Sequence, residues 1–144
     1  MTQVGQAQLA QGRSNRIGYV IAVLVNAGGL VVLHLWPGWQ EFAVLTADTR
    51  SVLGIVDAAL VVGIVVNVVL LLRSPAWPTA AGSLVTTLVS LAAMARIWQV
   101  FPFDVSDTGE TVLRVLLVVG LVGACLGVLA LVVSLLRMRQ LSGL

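Results

Sequence analysis

Four apolar stretches dominate this chain, over Ile17–Trp36, Ser51–Leu72, Thr79–Phe101 and Thr111–Leu136. At about 1.5 Å of rise per residue, each is long enough as a helix to cross the roughly 30 Å hydrocarbon layer of a bilayer. Strands of a barrel would alternate polar and apolar side chains, and these stretches do not. Lipid offers no partner for backbone N–H and C=O groups, so each segment must satisfy its own, and helices follow. The sequence therefore predicts an all-α fold, an antiparallel bundle of four transmembrane helices. Residues 1–16 are expected to be a mobile cytoplasmic tail, 17–136 the membrane domain, and 137–144 a short basic cytoplasmic tail.

Composition narrows the classes further. Of the 144 residues, 59% are hydrophobic and only 10% are charged, and the mean hydropathy is +1.06. Soluble domains carry about a quarter charged residues, so a water-soluble domain and a disordered chain are both excluded. The eight basic residues are all arginine, set against six carboxylates, and they form no stripe for nucleic acid. A lysine-free chain rich in Ala, Val, Leu and Gly points to a high-GC bacterium, and hence to its cell (inner) membrane. The single cysteine, Cys125, excludes an internal disulfide, a CxxC redox pair and a four-ligand zinc site. Neither a cofactor nor a metal is expected.

Met1–Gly12 carries no charged side chain, and Arg13 and Arg16 then precede the first apolar stretch. That order is like a signal peptide. Ile17–Trp36 is longer than an h-region, however, and no A-x-A site follows closely, so an uncleaved first span is expected. Arg13, Arg16, Arg73, Arg137 and Arg139 all fall on one side of the four spans. The opposite loops hold Glu41, Asp48, Asp104, Asp107 and Glu110, with Arg50 their one arginine. The positive-inside rule makes the arginine side cytoplasmic, N-in and C-in. Trp36, Trp39, Trp98 and Phe101 would form an outer aromatic belt, and Trp77 an inner one. Pro37-Gly38 closes the first span, and Ser74-Pro75 with Pro78 makes a tight cytoplasmic turn. Trp39–Thr46 fits a short interfacial helix or an irregular loop equally well. The two halves share no alignable motif, which weighs against an inverted-repeat transporter.

Ionisable groups within spans cost a few kcal/mol each, on the order of 3 on insertion scales, and so mark candidate sites. By helical rise, Asp57 lies about 9 Å inside the second span and Arg96 about 7.5 Å inside the third. Their similar depth on neighbouring helices predicts an Asp57–Arg96 pair. It is either a structural lock on helix register or a proton or cation site. His34, Gln99 and Arg114 fall in the same outer layer, and the five together make a polar intramembrane cluster. His34 alone reads as an interfacial hydrogen-bonding residue or a proton relay. Glu110 stands four residues before Arg114, the favourable order for a helical ion pair. Asp107-x-x-Glu110 reads as an N-cap with its capping-box partner rather than a calcium loop, because the EF-hand spacing is absent. Asn26 and Asn67 are expected to hydrogen-bond across helices.

Small residues recur at packing intervals. Gly120, Gly123, Ala124 and Gly127 mark the fourth span, Gly82, Thr86 and Ser90 the third, and Gly54, Ala58, Ala59 and Gly63 the second. Such stripes let backbones approach closely, within the bundle or against a partner. No nucleophile elbow, HExxH, P-loop or dinucleotide fingerprint occurs. Three functions remain open. The first is a non-enzymatic scaffold or accessory subunit that binds a partner or itself through the glycine faces. The second is a small transporter or ion-handling protein using Asp57, and the third an enzyme acting on a lipid or quinone.

Overall fold

A computed structural model describes residues 3–72 and 76–142 of the chain. Four long helices account for most of it: α1 (Gln3–His34), α2 (Arg50–Leu72), α3 (Ala76–Val100) and α4 (Asp107–Ser142). All four are long and apolar enough to cross a membrane, and they pack as an antiparallel bundle. The α1–α2 and α3–α4 connections lie at one end, here the loop end. The N-terminal and C-terminal ends of the helical array lie at the other, the terminal end.

Several boundaries differ from expectation, that of α3 among them: it starts at Ala76, so Pro78 lies in its first turn and not in the connection before it. The segment anticipated as a tail is helical from Gln3, and α4 starts at Asp107 and continues to Ser142. Gln3–Arg16 holds no proline, and its Gln, Ala, Leu and Arg are good helix formers that outweigh Gly5 and Gly12. Hydropathy marks where a helix can sit in lipid, whereas propensity decides where it stops. Arg73, Ser74 and Pro75, the core of the expected cytoplasmic turn, lie outside the described residues.

The bundle is open. Among the described residues, α1 packs on α2, α2 on α3 and α3 on α4, but α1 and α4 share no substantial contact. Glycines set the closest approaches. A Cβ at Gly29 would meet the Leu60 side chain at 3.3 Å, one at Gly63 the Asn26 amide at 2.9 Å, and one at Gly82 the Val66 Cγ1 at 2.8 Å. A Cβ at Gly120 would meet the Met94 sulfur at 3.3 Å. Little is sealed from the surroundings: Val52, Leu70 and Ala93 are the buried apolar side chains among the described residues. A helix whose apolar surface runs all round is at home in hydrocarbon, which supplies the missing neighbours.

Neither loop-end connection is a plain loop. Trp39–Glu41 and Ala47–Thr49 are short 3-10 turns, so Trp39–Thr46 is not a single interfacial helix. Between them the chain extends and pairs with the α3–α4 connection. Leu45 and Phe103 form an antiparallel bridge. The Thr46 amide donates to the Pro102 carbonyl at 3.0 Å, and the Asp104 amide to the Val44 carbonyl at 2.9 Å. Thr49 is buried beneath this tie, its hydroxyl 3.5 Å from the Pro102 carbonyl. The tie joins the α1–α2 hairpin to the α3–α4 hairpin at the loop end.

Candidate functional site

α1 and α2 cross where small residues let them, and that register sets the polar pairing. Asn26 faces Gly63 and Gly29 faces Leu60, so antiparallel counting brings His34, the last residue of α1, level with Ile55, within one helical turn of Asp57. The Nε2–H of His34 donates to Asp57 Oδ1 at 2.7 Å. The pair is half-open, with side-chain exposures of 43% and 32%. His34 ends its helix, where the exposed carbonyls favour a cation.

The expected Asp57–Arg96 pair is not formed. Asp57 bonds to His34, and the Arg96 guanidinium instead donates to Gln99 Oε1 at 3.3 Å on its own helix. Two causes combine. Counting from the Gly82–Val66 contact, Asp57 is level with Leu91, so Arg96 lies about 7.5 Å nearer the loop end. Asp57 also shares its stripe with Leu60 and Gly63, which face α1, whereas Val66 and Leu70 turn towards α3. Depth measured from helix ends could not resolve either effect. The carboxylate of Asp57 is thus tied to an imidazole on α1 and not to a guanidinium on α3.

Arg114 is a second polar centre. Its Nε donates to Glu110 Oε1 at 2.8 Å, the pair expected from the spacing. Its guanidinium also lies 4.3 Å from the Phe101 ring centroid and 5.2 Å from that of Trp98. Phe101 meets Phe103 edge-on at 5.4 Å, so a cation and three rings pin α3 to α4 beside the loop tie. The sequence held the residues of this stack but not the turn that assembles it. Phe101 has φ 44°, a left-handed conformation unusual for a non-glycine residue, and it folds its ring back over α4.

Three further expectations change. The N-cap of α4 is Ser106, not Asp107: its Oγ accepts from the Gly109 amide at 3.4 Å, and its carbonyl from the Glu110 amide at 2.8 Å. The cap falls one residue earlier than anticipated, and α4 begins at Asp107, ahead of the expected span start at Thr111. Asn26 and Asn67 do not reach across helices; each donates at 2.7 Å to the carbonyl four residues back, on Ala22 and Gly63. The Asn26 amide packs on Gly63 of α2 without hydrogen-bonding to it. The small-residue stripe of α4 is divided. Gly120 is used inside the bundle, whereas a Cβ at Gly123 or Gly127 would meet nothing within 4 Å.

His34, Asp57, Arg96, Gln99 and Arg114 thus all lie towards the loop end, but as three separate bonded groups rather than one cluster. Among the described residues, no three metal-ligating side chains converge. An apolar groove of about 490 Å3 lies beside them at the head of α4, between Val44, Phe103 and Val105 of the tie and Thr108, Val112 and Leu113 of the helix. Comparison with protein-family models, curated proteins and solved structures finds no match.

Proposed function

We propose that this small integral membrane protein is a non-enzymatic scaffold or accessory subunit of a membrane assembly, in the cell membrane of a bacterium. The single observation carrying this reading is the open bundle. α1 and α4 each keep one long apolar face without a helical neighbour, and on α4 that face includes the uncovered Gly123-x-x-x-Gly127 step. Without a hydrophobic force between helices in lipid, close backbone approach is what makes a helix face sticky, and glycine permits it. The arginine bias supports a cytoplasmic terminal end and an external loop end.

The test is purification at native expression into nanodiscs, followed by mass determination. A stoichiometric partner, or a defined multimer of this chain, is the expected result. A monomer with no copurifying protein overturns the reading.

A second reading rests on the His34–Asp57 bond, which keeps a titratable pair inside a membrane span. On this reading the protein handles protons or small cations. It predicts pH-dependent flux in liposomes that Asp57→Asn abolishes. Flux equal in the variant and the parent protein, or absent from both, removes it.

A further inference from the structure

Resting on the subunit reading, we infer that the assembly includes a second copy of this chain, and that the Leu35-Trp36 corner of one copy seats in the groove at the head of α4 in the next.

The protruding half is unusual among its neighbours. Trp36 is 80% exposed and Leu35 76%, above the other large apolar side chains at the loop end. Trp39 and Trp98, at the same end, are half-buried against their own chain. The backbone at the corner is fixed: the Leu35 and Trp36 amides both donate to the Val31 carbonyl, at 2.8 and 3.0 Å, so α1 ends in a widened final turn. A largely exposed indole is one of the residue types enriched among interface anchors.

The receiving half is the groove of about 490 Å3 lined by Val44, Phe103, Val105 and Val112, with the hydroxyl residues Ser106 and Thr108 at its edge. That volume suits one large aromatic side chain with an aliphatic neighbour, within the usual range of binding pockets. The chemistry is complementary as well. Trp carries one N–H donor and no acceptor. The groove offers acceptors in the two hydroxyls, and Asp104 and Asp107 adjoin its lining residues in the chain. The apolar body and the polar tip of an indole are thus both accommodated.

Placement makes the occupant a second copy. Corner and groove both lie at the loop end, so both have the same membrane depth. They belong to α1 and α4, the two free edges of the open bundle, which do not pack on each other. One chain therefore carries a knob on one edge and a hole on the other, at one level. Repetition of such a head-to-tail contact gives a ring if the rotation closes. Each copy would supply α1 where its neighbour exposes α4, and the uncovered Gly123 and Gly127 would lie along the same seam.

Disulfide trapping in nanodiscs tests this, in a Cys125→Ala background that removes the native thiol. Leu35→Cys and Val112→Cys are made in separate chains, leaving Trp36 intact, and folding is checked by helical content. The expected result is a cross-linked dimer from the mixed sample and none from either variant alone. Adding Trp36→Ala to the Leu35→Cys chain should cut the cross-linked fraction at least about tenfold, as for a buried aromatic anchor. Cross-linking within a single variant means a symmetric contact and overturns the proposal. So does an internal disulfide in the double variant, which would mean that the chain's own α1 closes over its groove. A multimer by mass without the mixed cross-link also overturns it, while leaving the subunit reading standing. A monomer without any partner overturns both.

Discussion

His34 and Asp57 hold the main polar bond between α1 and α2, at 2.7 Å, and a double-mutant cycle measures it. Interhelical hydrogen bonds in membranes contribute about 0.6 kcal/mol, and up to about 1.7 kcal/mol. We expect coupling in that range between His34→Ala and Asp57→Ala in detergent unfolding, and none between Asp57→Ala and Arg96→Ala; coupling to Arg96 alone would contradict the register described here. Arg114→Lys keeps the charge but loses the flat guanidinium that lies against Phe101 and Trp98. It should cost about 1 kcal/mol in the same assay. Gly38 has φ 89° and ψ 148°, a region open to glycine and costly to other residues, so Gly38→Ala should destabilise by about 1–3 kcal/mol. Thr46 points the other way: its hydroxyl is buried with no protein partner, and Thr46→Val should leave the melting temperature unchanged or raise it. The residue types of the candidate sites were legible in the sequence, because charge inside a span is costly wherever it sits. Their partners were not. Pairing depends on a rotation of one residue, about 100° around the helix, and that rotation is set by Gly29 and Gly63, whose contacts only the packed helices reveal.

Helices were the most legible level, since hydrocarbon leaves a long apolar segment no other way to satisfy its backbone. Their ends were less so: lipid solubility says nothing about how far α1 or α4 continues into water. Glycines of similar appearance in the sequence have unlike roles in the packed elements. Val66 is β-branched and stiff on a helix, and it leaves only 2.8 Å for a Cβ at Gly82. Gly82→Leu should therefore force α2 and α3 apart, at a cost of about 1–3 kcal/mol, seen as a lower melting temperature. Gly123 faces open space, so Gly123→Leu should leave the monomer's melting temperature unchanged and act on association alone. Equal destabilisation by both substitutions would mean that α4 packs differently.

At the scale of the whole molecule, the bundle is a row that does not close, and its two halves meet again at the loop end through Leu45 and Phe103. Short-range signals could not anticipate that bridge, because its partners lie far apart in the chain and neither segment alternates like a strand. The Thr46 and Asp104 amides, bonded at 3.0 and 2.9 Å, should exchange hydrogen more slowly than the other connecting amides, and Pro102→Gly should speed them. Synthesis runs from the N-terminus, and α2 ends at Leu72, 30 residues ahead of Pro102, so the first hairpin is made before the segment that ties to it. The stitch between the hairpins is accordingly a late event in biogenesis. A chain stalled ahead of its fourth span would hold inserted helices without that fastening, a species for membrane quality control to recognise.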